Sequence, residues 1–581
     1  MSTTQMLDIS TQILEHFVTS DFPPGWKQDY VPEGCLDQLI TRDAIIREFS
    51  KDDEPDENIH IPEDLIRFIL QSAKKVLATS LWSGVESRQL QRAMKTFRSA
   101  GFKDSSLPVK VLDPREAPWS QLKWNSVKFK TFQEMQWKFV VPIFSEDNIK
   151  LELENRHILP FKSVEREVKT GGFSEVYEFD GSPANAAIKA IKPPTTTQTE
   201  TQAKKEWERE EKALEEMRDI RHPHIIEVKA IFTWKGKGNF FMFQWADGGS
   251  LRDYYKNNPR PKLTNDFMKE IVNQFVGLAH ALDALHNYKK NDKNAGSYRH
   301  GDLKPENILR FENGTQMGFL RIADLGLAKH HFDETGLRDK NTSTRHGTPF
   351  YEPPEVFRNP KEARSRQYDI WSMGCVILEV LVWLLYGTDA LEAFINSMNQ
   401  SFSNSSPYWA LDEQSSTVKV HPYVEACMDF IAKDQECQGS TAISDLLNIV
   451  KTKLIVVQLP SPRHTDQIGA GRGTSASNAR YTGQFRARAT DFLNALRGIL
   501  EKGEKDNEYW FTGRPRDNLK GPASSTPSTA MASSSNGKTV PTIKAPDNAT
   551  ERGFRHANER QDVSWTSTDL PIVSSRISNF G

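Results

Sequence analysis

Residues 299–307 read Arg-His-Gly-Asp-Leu-Lys-Pro-Glu-Asn, and this stretch decides the fold. It sets an acid, a base and an amide at fixed offsets: Asp302, Lys304 and Asn307. The carboxylate of Asp302 can orient a hydroxyl. The ammonium of Lys304 can neutralise a moving phosphoryl group, and the amide carbonyl of Asn307 can ligate Mg²⁺.

Working upstream, Val168 to Tyr177 reads Val-Lys-Thr-Gly-Gly-Phe-Ser-Glu-Val-Tyr. Small residues let backbone N–H groups approach phosphates, although a Gly-Gly pair between strand-like residues is most often only a turn. Ala186-Ala187-Ile188-Lys189 follows, inside a β-like apolar run that reaches Ile191. Residues 203–221 are rich in Lys, Glu, Ala and Leu and read as a helix. Several glutamates lie on it, and the inward one needs apolar company on its own face. Glu210 has Leu214 at i+4 and Met217 at i+7, whereas Glu211 has Glu215 at i+4. Phe240 to Leu251 is an apolar strand running into a Gly-Gly turn. Downstream come Arg321-Ile-Ala-Asp324-Leu-Gly326, then Gly347-Thr-Pro-Phe-Tyr-Glu-Pro-Pro-Glu355. Asp369 then opens a strongly apolar helix, and Arg488-Ala-Thr-Asp-Phe-Leu-Asn-Ala-Leu496 closes the series.

Taken in this order, the elements resemble a eukaryotic protein kinase, whose catalytic loop reads H-R-D-L-x-x-x-N. The resemblance implies an α+β, bilobal kinase fold with a β-rich small lobe and a mainly helical large lobe. It implies ATP and Mg²⁺ as cofactors. Gly171, Gly172, Phe173, Ser174 and Val176 would cover the phosphates; of the family glycine positions Lys169, Gly171 and Ser174, only the middle one is glycine. Ala187 would line the adenine site, and Lys189, paired with Glu210, would hold the α- and β-phosphates. Phe243 would be the gatekeeper, and Gln244 to Ala246 would offer backbone hydrogen bonds to the adenine edge. Asp302 would be the catalytic base, Lys304 would stabilise the transferring group, and Asn307 and Asp324 would hold the metal. Asp369 would anchor the catalytic-loop backbone, and Glu355 would form a buried pair with Arg488.

Lys304-Pro-Glu and Thr348 resemble the serine/threonine rather than the tyrosine branch. The Arg-His-Gly-Asp loop, the Trp383-Leu-Leu-Tyr-Gly387 run and Gln136-Trp137 resemble a subgroup common in filamentous fungi. Two departures stand out: Leu325 replaces the phenylalanine after Asp324, and Gly301 replaces the arginine before Asp302. That arginine commonly meets a phosphate on the activation segment. Its loss predicts activity that needs no phosphate on Thr342, Ser343 or Thr344, with Arg299 or Arg345 as substitutes for the missing charge.

Composition bounds the rest. Net charge is -2, so no strong field recruits nucleic acid or a membrane surface. Cys35, Cys375, Cys427 and Cys437 lack metal-like spacing and read as free thiols in a reducing compartment. The opening residues lack a basic-then-apolar signal segment. The longest apolar run, Cys375 to Tyr386, includes Glu379 and falls short of the ~20 residues of a spanning helix. It reads as a core helix, and the location expected is the cytoplasm or the nucleus.

Four regions are expected. Residues 1–112 form a helical N-terminal domain that could bind a protein partner. Residues 113–158 are an aromatic-rich connecting segment, with Trp119, Trp124, Phe132 and Trp137 in packed β or docking structure. Residues 159–512 form the kinase domain, interrupted by polar insertions near 396–417 and 461–482. Residues 513–581, rich in Ser, Thr and Pro, are expected to be disordered. The function expected is transfer of the γ-phosphoryl group of Mg-ATP to serine or threonine hydroxyls of a protein substrate. A pseudokinase scaffold or signalling-interaction protein is the competing reading. It draws on Lys169, Ser174, Gly301 and Leu325, while Lys189, Asp302, Asn307 and Asp324 are all retained.

Overall fold

The computed structural model describes residues 8–23, 25–51, 61–163, 169–170, 174–180, 185–191, 197–288, 296–324, 329–332, 349–358, 364–399, 408–412, 417–460, 484–515 and 521–522. The N-terminal part contains α1 (Ile9–Glu15), the antiparallel pair β1 (Val18–Ser20) and β2 (Gln28–Tyr30), α2 (Cys35–Leu39), α3 (Arg42–Phe49), α4 (Glu63–Ser72), α5 (Lys74–Trp82), α6 (Ser87–Ser99) and α7 (Ser126–Met135). Helix α6 shows why these segments are helical. Leu90, Ala93, Met94 and Phe97, at i, i+3, i+4 and i+7, are all buried on one stripe. Helix α7 starts where the side chain of Asn125 accepts a hydrogen bond from the Lys128 N–H at 2.9 Å.

The aromatic-rich segment is packed structure: around Trp119 to Phe139 it is helical and joins the preceding helices, and its β strand comes later, at residues 150–153. Trp119, Trp124, Phe129, Phe132 and Phe139 lie in the same apolar core as Ile13, Ile45, Leu77 and Phe97. Trp119 sits edge-on to Phe97 at 5.6 Å and to Phe132 at 5.3 Å. The helical unit therefore runs through Phe139, and residue 112 is not a break in packing.

The small lobe follows. Its strands are β3 (Lys150–Leu153), β4 (Lys162–Ser163), β5 (Lys169–Thr170), β6 (Ser174–Asp180), β7 (Ala186–Ile191), β8 (Val228–Trp234) and β9 (Gly238–Gln244). Among the described residues they make one sheet in the order β3-β8-β9-β7-β6-β4, with β5 also on β6. Strand β3 runs parallel to β8 and lies upstream of residue 159, so the sheet begins earlier than the sequence suggested. The N-terminal unit also reaches this sheet through Phe22, buried among Phe161, Phe179, Trp234 and Phe240. Helix α8 (Thr197–Arg218) links β7 to β8.

The large lobe contains α9 (Leu251–Asn257), α10 (Asn265–His286), the strands β10 (Gly296–Arg299), β11 (Ile308–Phe311), β12 (Phe319–Ile322) and β13 (Lys329–Phe332), then α11 (Glu355–Arg358), α12 (Gln367–Tyr386) and α13 (Thr388–Asn399). The hairpin β14 (Trp409–Asp412) and β15 (Thr417–Val420) borders the first polar insertion, and α14 (Pro422–Ile431), α15 (Ala442–Ile449) and α16 (Ala489–Lys505) complete the lobe. Helix α12 is its axis. Among the described residues it is the helix long and apolar enough to cross a membrane by length and composition, and its apolar window is entirely enclosed by protein. Trp371 and Trp383 on it are fully buried.

One expected contact is corrected. Glu355 pairs with Arg486, not Arg488: two guanidinium nitrogens of Arg486 lie 2.7 and 3.0 Å from the two carboxylate oxygens. Arg488 belongs to the run that opens helix α16. The arginine in contact sits two residues earlier, in the extended approach to the helix, where its Nε donates to the Val456 carbonyl at 2.8 Å. Arg488 is exposed at the helix N-cap. Removing one partner of a buried pair strands the other charge. Arg486→Ala should therefore cost about 3–5 kcal/mol of large-lobe stability, read as a shifted denaturant midpoint, whereas Arg488→Ala should move it by less than about 0.5 kcal/mol.

Candidate active site

Lys189 lies at the centre of the small-lobe sheet, on β7, in register with Val176 of β6 and Phe241 of β9. Alternation along the strand buries Ile188 completely on the far face and turns Lys189 to the cleft. Its Nζ is 2.5 Å from Glu210 Oε1 and 3.1 Å from Asp324 Oδ1. Glu210 is delivered by α8, whose inner stripe is anchored on the sheet. Trp207 stacks on Phe241 with ring centroids 4.3 Å apart, and Leu214 and Met217 are buried one and two turns beyond Glu210. The periodicity that singled out Glu210 is the face that packs. Burial opposes the charge on Lys189, but Asp324 and Glu210 outweigh it and hold the ammonium above its ordinary pKa. Lys189 in turn holds the Asp324 carboxyl below the usual carboxylate range, against the effect of burial. Lys189 and Asp324 are therefore both ionised at neutral pH.

Asp324 and Asn307 are brought together by a short hairpin. Strands β11 and β12 pair antiparallel, with Ile308 opposite Ile322. The Ala323 N–H then donates to the Asn307 carbonyl at 2.9 Å, which sets Asp324 beside the end of the catalytic loop. Within that loop Asp302 Oδ2 accepts from Lys304 Nζ at 2.7 Å and from Asn307 Nδ2 at 3.0 Å. Asn307 Nδ2 also donates to the Asp302 carbonyl at 2.8 Å, so the amide oxygen is the group available to a cation. Lys304 adds electrostatically to the effect of Lys189 on Asp324.

The loop itself hangs from Asp369. One carboxylate oxygen accepts the Gly301 N–H at 2.8 Å. The other accepts the His300 N–H and the His286 Nε2, each at 2.8 Å. Burial pushes the Asp369 pKa up, and the hydrogen bonds from His286 and the loop bring it below the ordinary value. His300 donates from Nε2 to the Ala323 carbonyl at 2.9 Å and accepts the Asp302 N–H on Nδ1 at 3.2 Å. Those two partners fix a neutral tautomer. Gly301 has φ +83°, a left-handed backbone that glycine adopts without strain.

The remaining sequence-derived positions divide. Ala187 lies opposite Phe243 and Ala186 opposite Gln244, while the Trp245 N–H donates to the Asn185 carbonyl at 2.8 Å. Ala246 is buried at the end of this segment. Val176 adjoins Lys189 across the sheet, and the Ser174 backbone pairs with Ile191. Gly171, Gly172, Phe173, Leu325, Thr342, Ser343, Thr344, Arg345 and Thr348 lie outside the described residues.

The sequence reading missed a charged network beneath the catalytic loop. Arg252 contacts Glu306 at 2.9 Å, the Tyr351 hydroxyl at 2.7 Å and Glu379 at 2.8 Å. Glu379 also accepts from Tyr351 at 2.8 Å and from Tyr408 at 3.0 Å. A carboxylate in the middle of an apolar run was the one available signal, since a buried charge requires partners.

Residues 163–438 match the family model described as the protein kinase domain. The chain is 30% identical over 230 residues to the CBL-interacting serine/threonine-protein kinase 16 of Arabidopsis thaliana, covering 38% of this chain and 44% of that protein. It is 32% identical over 169 residues to the CBL-interacting protein kinase 5 of Oryza sativa subsp. japonica, covering 29% and 32% respectively. It is 34% identical over 169 residues to the CBL-interacting serine/threonine-protein kinase 5 of Arabidopsis thaliana, covering 29% and 33%. The chain thus spans less than half the length of these curated relatives. Residues 163–438 are thus similar to protein kinase domains, those of eukaryotic serine/threonine kinases among them, and the site described above lies inside the matched residues.

Asp369 gives the site its first test. Asp369→Asn would set an amide N–H₂ against at least one of the donors that now meet a carboxylate. We expect a loss on the order of 3 kcal/mol in stability, measured by denaturant unfolding, together with loss of protection of the His300 and Gly301 amides in hydrogen exchange.

Proposed function

We propose that the protein is an ATP-dependent serine/threonine protein kinase that moves the γ-phosphoryl group of Mg-ATP to protein hydroxyls. The observation that carries this reading is the charged triad Lys189–Glu210–Asp324, with Asp302, Lys304 and Asn307 joined in the adjoining loop. The donor set suits Mg²⁺. Asp324 and Asn307 offer two hard oxygens, and Mg²⁺ is commonly held by one or two such protein groups, with phosphate oxygens and water completing the shell. When bound, Mg²⁺ supplies neutralisation of phosphate charge.

The chain's own residues do the rest. Lys189, held by Glu210, positions the phosphates. Asp302 accepts a hydrogen bond from the substrate hydroxyl and takes its proton as the new O–P bond forms, while the bond to the ADP oxygen breaks in line. Lys304 stabilises charge on the group in transit. A scaffold role would leave this arrangement unused; the departures at Lys169, Ser174, Gly301 and Leu325 spare each of these groups. Lys304-Pro305-Glu306 supports serine and threonine as acceptors. The Arg-His-Gly-Asp loop and the Trp383 to Gly387 run support the finer placement in a subgroup common in filamentous fungi. A protein substrate is the partner this reading requires, and the N-terminal unit is a candidate surface for a second.

In an assay with labelled ATP and a generic protein substrate, Asp302→Asn should lower transfer by about 10²–10⁴-fold and leave nucleotide affinity nearly unchanged. Equal transfer by the wild-type and variant proteins would overturn the mechanism. Gly301 has no side chain to meet a phosphate, and its N–H is committed to Asp369. Alanine at Thr342, Ser343 and Thr344 together should therefore leave transfer nearly intact, and a collapse would show that another cation reads a phosphate there.

A further inference from the structure

Strand β3 lies on the edge of the small-lobe sheet beside α8, the helix that presents Glu210. The Ile231 N–H donates to the Ile149 carbonyl at 2.6 Å, and the Lys235 N–H to the Leu153 carbonyl at 2.9 Å. These bonds pin the strand from both ends. Ile149 is buried in the cluster that includes Trp207, Leu214 and Met217 of α8. From this fixed strand Lys150 reaches the helix: its Nζ is 3.0 Å from Glu211 and 2.9 Å from Glu215. These two carboxylates are one helical turn apart and would repel each other without a shared cation. Further along, Arg218 donates to the Glu146 carbonyl at 2.9 Å. Residues 146–153 therefore hold α8 at two points along its outer side, while Glu210, the neighbour of Glu211, faces Lys189. The C-terminal turn of the helix is tied as well, because the Tyr298 hydroxyl, on the strand that leads into the catalytic loop, donates to Glu216.

We propose that Lys150 is a positioning residue for phosphoryl transfer. It fixes the rotation and depth of α8, and so keeps Glu210 on Lys189 with the nucleotide site assembled. The restraint is supplied in cis by chain that precedes the matched residues. The idea rests on the kinase reading for its catalytic consequence but not for its structural one. The two are therefore tested separately, in the full-length chain.

Lys150→Met keeps the aliphatic stem and removes the charge; Lys150→Glu reverses it; Lys150→Arg preserves it. The first measurement is amide exchange over residues 207–218 without nucleotide. The second is KM for ATP. We expect faster exchange of α8 in the Met and Glu variants and a KM for ATP raised about three- to tenfold, a size set by the exposure of the two ion pairs. The Arg variant should behave as wild type. In a Glu210→Gln background, Lys150→Met should add little to KM, because the group it positions is already gone. Unchanged α8 exchange in Lys150→Glu overturns the restraint. Faster exchange with unchanged KM, or a KM effect that persists in full without Glu210, overturns the positioning role. A wild-type chain that transfers no phosphate would instead refute the kinase reading, and the exchange measurement would still decide whether Lys150 restrains the helix.

Discussion

A single buried carboxylate organises the catalytic centre. Asp369 receives two consecutive backbone N–H groups and an imidazole. A loop cannot hold side chains at fixed offsets unless its own backbone polar groups are satisfied. Here those groups are satisfied by a residue on the most enclosed helix of the large lobe. The positions of Asp302, Lys304 and Asn307 are thus inherited from the packing of α12, and the chemistry is only as well placed as that helix is rigid. The second layer is the Arg252–Glu306–Glu379 network, which ties the same helix to the same loop from below. Burial pushes the Glu379 carboxyl up, and Arg252 opposes that. Such a cluster is a poor source of net stability but a strong constraint on geometry, because each member left alone would be costly.

The small lobe solves a different problem. Three charges, Lys189, Glu210 and Asp324, must come together from a strand, a helix and a loop that are far apart in sequence. The sheet fixes the first by register. The apolar stripe of α8 fixes the second, and the hairpin of β11 and β12 the third. Each element is local and legible; their convergence is what folding adds.

Much of this could be read in advance. The order of motifs specified the lobes, and helical periodicity chose Glu210 over five other glutamates on the same segment. The β-like apolar run through Ile191 placed Lys189 on a strand. Other features were hidden for physical reasons. Arg486 and Arg488 are two residues apart, and only the conformation before α16 decides which one turns inward. The aromatic residues between Trp119 and Phe139 announced burial but not their partner, which is the helical unit before them. Lys150 looks like any surface lysine until β3 is seen to align beside β8. Long-range pairing of this kind leaves no periodic trace in the sequence.

The place of β3 has a further consequence. An unpaired sheet edge invites other chains to add to it. Here β3 occupies the flank of β8, and Phe22 shields an aromatic face formed by Phe179, Trp234 and Phe240. A fragment cut at the start of the kinase motif would bare both the ladder of β8 and that sticky surface at once. The leading segment therefore covers both the flank of β8 and one aromatic face of the sheet that carries Lys189.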